Sequence, residues 1–181
     1  MTNLIEAWRI DHSYFRRLLA LLQKQVDAFQ LGNEPNYVLM LDIISYLRDY
    51  SDQVHHRGED VAFACLAGHC PEMELILSRL TQEHRIIAQA GETLRKHLDA
   101  LLVDTLVPKA QIEVAAATYL VYYGRHIAME EAEVLPRAEQ VLTAADWESV
   151  RNAVPQGRDP LFGGGIDDHY KVLRRQIALE S

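Results

Sequence analysis

Four long stretches of this chain carry apolar residues at helical spacing, and each join between them is marked by Gly or Pro. The first runs from about residue 3 to 30, with Leu4, Ile5, Trp8, Phe15, Leu18, Leu19, Leu22, Val26 and Phe29 recurring every three or four positions. "LGNEP" ends it: Gly32 suits the position just past a helix, and Pro35 suits the first turn of the next. The second stretch runs from about 36 to 67 and ends at Gly68; Pro71 opens a third to about 103–106, and Pro108 a fourth to about 141. Joins this short make neighbouring helices antiparallel. Thr143 and Asp146 pattern as a capping pair before a short helix. "VPQGRDPLFGGGID" reads as a loop in which Leu161 and Phe162 dock a terminal helix within 167–181. No convincing period-2 strand pattern is present. The expected fold is all-α: an up-down-up-down four-helix bundle over 1–142, with a short helical C-terminal extension over 143–181 packed on it.

The 181 residues are enough for one sizeable core. The formal net charge of −8, with no basic cluster, argues against nucleic acid and against an anionic membrane surface. No apolar run approaches the roughly 20 residues of a bilayer span, and "MTNLIEAWRI" lacks the regions of a signal peptide. Two cysteines, Cys65 and Cys70, are not a disulfide framework, so a reducing cytoplasm is the expected compartment.

The histidines are patterned. His55 precedes Glu59 by four residues, and His126 precedes Glu130 by four, so each pair shares a helix face. The other two long helices each carry an acid–His dipeptide, at His12 and His84. His84 follows His12 by 72 positions and His126 follows His55 by 71, as a duplicated helix pair would give. At ~1.5 Å per residue, measured from one end of an antiparallel bundle, His12 lies roughly 14 Å in and His55, His84 and His126 roughly 18 Å, with Glu59 and Glu130 at about 12 Å. Six metal-capable side chains from four helices therefore fall in one layer.

A lone His on an apolar face is more often a hydrogen-bonded core residue than a ligand. Six convergent groups change that balance, because buried carboxylates need a compensating charge. Imidazole with carboxylate suits iron, manganese or zinc, and the lack of thiolate argues against copper(I) or structural zinc. Six donors exceed the three plus water of a catalytic zinc. They suit two octahedral irons with terminal His ligands and both Glu residues bridging, which leaves room for a small exogenous ligand. The Glu-x-x-His spacing of ferritin-like di-iron bundles is not found here; His-x-x-x-Glu is.

With "DH" at His12, "HHRGED" from His55 to Asp60, "EH" at His84 and "HIAMEE" from His126 to Glu131, residues 5–140 resemble the hemerythrin family in its bacterial HHE cation-binding form. The resemblance implies a non-haem centre of two irons per chain, with His12, His55, His84 and His126 as terminal ligands and Glu59 and Glu130 as bridges. The family's oxygen carriers have a second His four residues from the first on the third helix; here Leu80 and Ala88 flank His84. One iron is therefore expected to be poorer in nitrogen and more open, which favours peroxide or nitric oxide over reversible oxygen carriage.

Around the six, Tyr122 precedes His126 by four residues and is expected to contact a bound oxygen species, with ordinary core packing as the plain alternative. Trp8, Phe15, Leu80 and Ile87 are expected to wall out water. His56 points about 100° from His55, which favours a supporting or surface role over ligation. Asp11, Asp60, Glu83 and Glu131 adjoin ligands but face elsewhere, so solvent is their expected environment. Cys65, His69 and Cys70 match no strong zinc motif, and His97 and His169 read as surface residues.

The leading expectation is a cytoplasmic di-iron protein, connected with oxidative stress, that binds or reduces a small diatomic or peroxide ligand such as oxygen, nitric oxide or peroxide. The second is an iron-sensing, iron-storing or iron-donating protein of the iron–sulfur-cluster-repair type, acting with a protein partner. That type typically adds a cysteine-bearing N-terminal segment, which is not seen before Asn3. The third is a structural bundle whose apolar surface forms a homodimer.

Overall fold

The computed structural model describes residues 4–154, 159–163 and 170–179, and the described residues contain helices and no strand. Helix α1 spans Leu4–Gln30. Helix α2, Tyr37–Tyr46, continues through a π-helical segment, Leu47–His55, into α3, His56–His69. A 3₁₀ turn at Pro71–Met73 leads into α4, Glu74–Leu102. Helix α5, Lys109–Met129, passes through a second π-helical segment, Glu130–Val134, into α6, Leu135–Val141. Helices α7, Ala144–Ala153, and α8, Lys171–Leu179, follow. Around the bundle, α1 packs on α2 and α5, α4 packs on α2, α3 and α5, α7 lies along α3, and α8 lies against α1 and α2.

The expected stops hold in part. Gly32 is the left-handed residue that ends α1, with φ 81°. Thr143 and Asp146 form the reciprocal cap of α7. Gly68 is not a stop: α3 runs on to His69 and closes at Cys70. Pro35 stays outside α2, because the Asn36 side chain takes the cap and accepts from the Leu39 N–H at 3.0 Å. The second π-helical segment lies just ahead of Pro136, whose ring lacks an N–H and crowds the carbonyl four residues back. His169 and the start of the expected terminal helix lie outside the described residues. Leu161, Leu173 and Ile177 are nonetheless buried in the core, and Phe162 stacks on Tyr14 at 3.9 Å.

The apolar interior is divided. One block gathers Phe15, Leu18, Leu22, Ile43, Tyr46, Ile87, Leu94, Tyr119 and their neighbours. The other gathers Ile5, Trp8, Phe63, Leu66, Leu77, Leu80, Leu135 and Val150. Buried between them lie His12, His55, His56, Glu59, His84, His126 and Glu130.

Candidate metal centre

Each long helix delivers its donors because the bundle buries one stripe of it. On α5 and the turn that follows, the inward positions are Tyr119, Tyr123, His126 and Glu130, four, three and four residues apart. Phe15 and His12 point the same way from α1.

The six expected donors meet. His12 Nε2 and His55 Nε2 stand 3.0 Å apart, and His55 Nε2 is 3.0 Å from Glu59 Oε1. His12 Nε2 is 3.4 Å from both Glu59 Oε1 and Glu130 Oε2. On the far side, His126 Nε2 is 2.9 Å from Glu130 Oε1, while His84 Nε2 is 3.7 Å from that oxygen and 3.6 Å from Glu59 Oε2. Each carboxylate thus turns one oxygen to the His12/His55 pair, and its other oxygen toward His84 or His126. Metal–imidazole bonds of about 2.0–2.1 Å at right angles set two donors about 3 Å apart, close to the shortest of these separations.

These contacts are near in distance but poorly aligned. Both oxygens of Glu59 and of Glu130, and the Nε2 atoms of His84 and His126, are buried without a directed hydrogen-bond partner. Orphaned groups of this kind cost about 1–3 kcal/mol each, which a shared cation removes. The donor set of imidazole and carboxylate, with no thiolate, fits iron, manganese or zinc.

Behind the imidazoles lie the four acids expected to face solvent. Every Nδ1 donates to a carboxylate: His55 to Asp11 at 3.0 Å, His84 to Asp60 at 2.9 Å, His126 to Glu83 at 3.4 Å and His12 to Glu131 at 3.2 Å. Asp11, Asp60, Glu83 and Glu131 therefore do not simply face water. Each acid adjoins one helix's own donor and, turned about 100° from it, reaches the imidazole of the next helix. The pairs close a ring: the π-helical segment ahead of α3 to α1, α1 to the π-helical segment after α5, α5 to α4, and α4 to α3. Because a carboxylate accepts, Nδ1 keeps its proton and Nε2 is the nitrogen turned to the centre, where a bound cation would displace any proton it carries. Arg16 grips Glu131 through two bonds, of 2.9 and 2.7 Å, and holds it below the ordinary carboxylate range. The hydrogen bond from His126, with Arg79 at 2.8 Å, does the same for Glu83. A signal existed in the sequence: an acid stands beside a donor in all four motifs.

At Glu59, His55, His84 and His126 burial penalises charge, yet opposite charges outweigh it. Glu59, desolvated but faced by His55, His12 and His84, sits well below its ordinary range. His55, desolvated but faced by Glu59 and Asp11, is pushed up to about 10. His84 and His126 are raised as well, against burial, by their carboxylate neighbours.

Two expectations about single residues change. Tyr122 is exposed and lies with Arg79, Gln82, Glu83 and Arg125 along an outer cavity of about 390 Å³. It falls outside the stripe that carries His126, and its neighbour Tyr123 takes the inner position. There the Tyr123 hydroxyl pairs with Ser51 Oγ, and its ring lies 5.7 Å from His56. His56 is buried, not peripheral. It does diverge from His55, but the bundle interior is wide enough to take both: His55 turns to α1, and His56 to α4 and α5. Trp8, Phe15, Leu80 and Ile87 are buried around the layer as expected. His69 turns to Asp146 at 3.0 Å, and both cysteines are free thiols.

No helix among the described residues is long and apolar enough to cross a membrane. Searches of curated proteins and of solved structures returned no match. The pattern of the hemerythrin HHE cation binding domain matches residues 3–138, three-quarters of the chain and all of the donor layer. The chain therefore belongs to the hemerythrin HHE cation-binding family.

Proposed function

We propose that this chain holds two irons between His12, His55, His84 and His126, with Glu59 and Glu130 shared, and that it binds or reduces a small oxidant such as oxygen, peroxide or nitric oxide. One observation carries the reading: Glu59 and Glu130 each divide their two oxygens between separate imidazole groups. A single cation would draw both oxygens to one side. Bound iron would supply a redox-active Lewis acid at the middle of the bundle. The protein's own part is positional: the ring of acids fixes each imidazole tautomer, while Phe15, Trp8, Phe63 and Tyr123 keep bulk water away. A cavity of about 260 Å³ lined by Trp8, Asp11, Tyr50, His55 and Gly58 gives a small molecule an approach to the His55 side.

The test is metal analysis of anaerobically purified protein from iron-replete cells, with near-ultraviolet and visible spectra before and after each oxidant. About two irons per chain and a spectrum that responds to one oxidant are expected. Fully stable protein without metal refutes the reading. Rapid loss of iron to an apo iron–sulfur acceptor, with no response to oxidants, replaces it with iron delivery.

A further inference from the structure

Helix α4 offers a single inward imidazole, because Leu80 and Ala88 flank His84. His56, from α3, stands beside it. The His56 ring stacks on His84 with centroids 4.1 Å apart and planes 12° apart, and its centroid is 5.6 Å from that of His126. One nitrogen of His56 falls, with donor atoms of Glu59, His84 and His126, in a group whose members all lie within 4.8 Å of one another. His12 and His55 group instead with Glu59.

In one respect the surroundings of His56 are like those of the other four imidazoles: a carboxylate stands behind its Nδ1. Its Nδ1 is 3.3 Å from Asp52 Oδ1, a carboxylate one turn back on its own helix. Asp52 is mostly buried, and its Oδ1 has no directed hydrogen bond. Orienting a ligand imidazole would account for burying it. The other nitrogen, Nε2, is 3.3 Å from Ser51 Oγ, long for a hydrogen bond, and that hydroxyl pairs more closely with Tyr123.

We propose that His56 is a fifth imidazole ligand, supplied by α3 in place of a second one on α4, to the cation held by His84 and His126. This rests on the two-metal reading above. It makes the two positions unequal: three imidazoles around one cation, and two, His12 and His55, around the other. It also reverses the sequence-based expectation that Leu80 and Ala88 leave a nitrogen-poor site.

The experiment is an anaerobic titration of metal-free, full-length protein with ferrous iron, comparing wild type with His56→Ala. In the variant one of the two affinities should fall by about tenfold or more, while the other stays within about twofold. Added imidazole should restore the lost affinity. Two unchanged affinities in His56→Ala overturn this proposal alone and leave the two-metal reading standing; a wild type that takes up no iron overturns both. Should the variant fail to fold, wild-type protein labelled with ¹⁵N-histidine and loaded with cobalt(II) decides. Five hyperfine-shifted imidazoles support His56 as a ligand, and four overturn it.

Discussion

Asp11 and His55 meet at 3.0 Å across 44 positions of sequence, and Asp11 does so while its own neighbour, His12, points its Nε2 at the same His55. One dipeptide therefore supplies both a donor to the centre and the brace for a donor from another helix. Of the four braces, Asp60 is the most exposed, and no arginine grips it among the described interactions. Asp60→Asn should leave the thermal midpoint of the metal-free protein nearly unchanged and weaken metal binding by about 10–100-fold. A competition titration against a chelator, beside a melting curve, measures both.

Glu130 faces His126 and His84 with one oxygen and His12 with the other. Glu130→Ala should therefore weaken both metal positions together, whereas His12→Ala should weaken one. Metal stoichiometry at limiting iron separates these patterns, with circular dichroism to confirm that each variant is helical.

Gly91 lets α4 approach a fully buried tyrosine. A Cβ at this position would stand 2.8 Å from Tyr119 Cε2. Helix propensity alone favours Ala by about 1 kcal/mol, but displacing a packed ring costs about 1–3 kcal/mol. Gly91→Ala should therefore destabilise the protein by about 1 kcal/mol in denaturant unfolding; a gain in stability would mean that the Tyr119 ring moves freely.

The segment around Asp159 carries the pH prediction. Burial pushes this carboxyl above its ordinary range, against the N–H groups of Phe162 and Leu161 and the Tyr46 hydroxyl that donate to it. A carboxyl raised in the folded state contributes most below its unfolded value near 3.8, and that contribution is lost as pH rises through the folded value. The midpoint of Asp159→Asn minus that of wild type should therefore grow between about pH 4 and pH 7. A difference that stays flat or shrinks would show that hydrogen bonding outweighs desolvation here.

Much of this molecule was legible in one dimension. The helical period gave the long helices, because each has one stripe to bury. The i,i+4 spacing of His55 with Glu59 and of His126 with Glu130 gave a shared face whatever the tertiary detail. What could not be read depends on helix rotation and on partners distant in sequence. The angle of about 100° between His56 and His55 argues against ligation only where the interior is narrow. Tyr122 stands four residues before His126, yet the inward stripe of α5 alternates threes and fours, and here it takes the three, to Tyr123. The four acids point away from the donors of their own helix, and their partners lie on the next.

The division of the core has its own consequence. Two oily ends are joined across an ionic waist, and opposed carboxylates and imidazoles cohere there best with a cation among them. A ligand that binds only the native form adds its binding free energy to folding. Scarcity of the metal would then loosen the bundle at this girdle before either end.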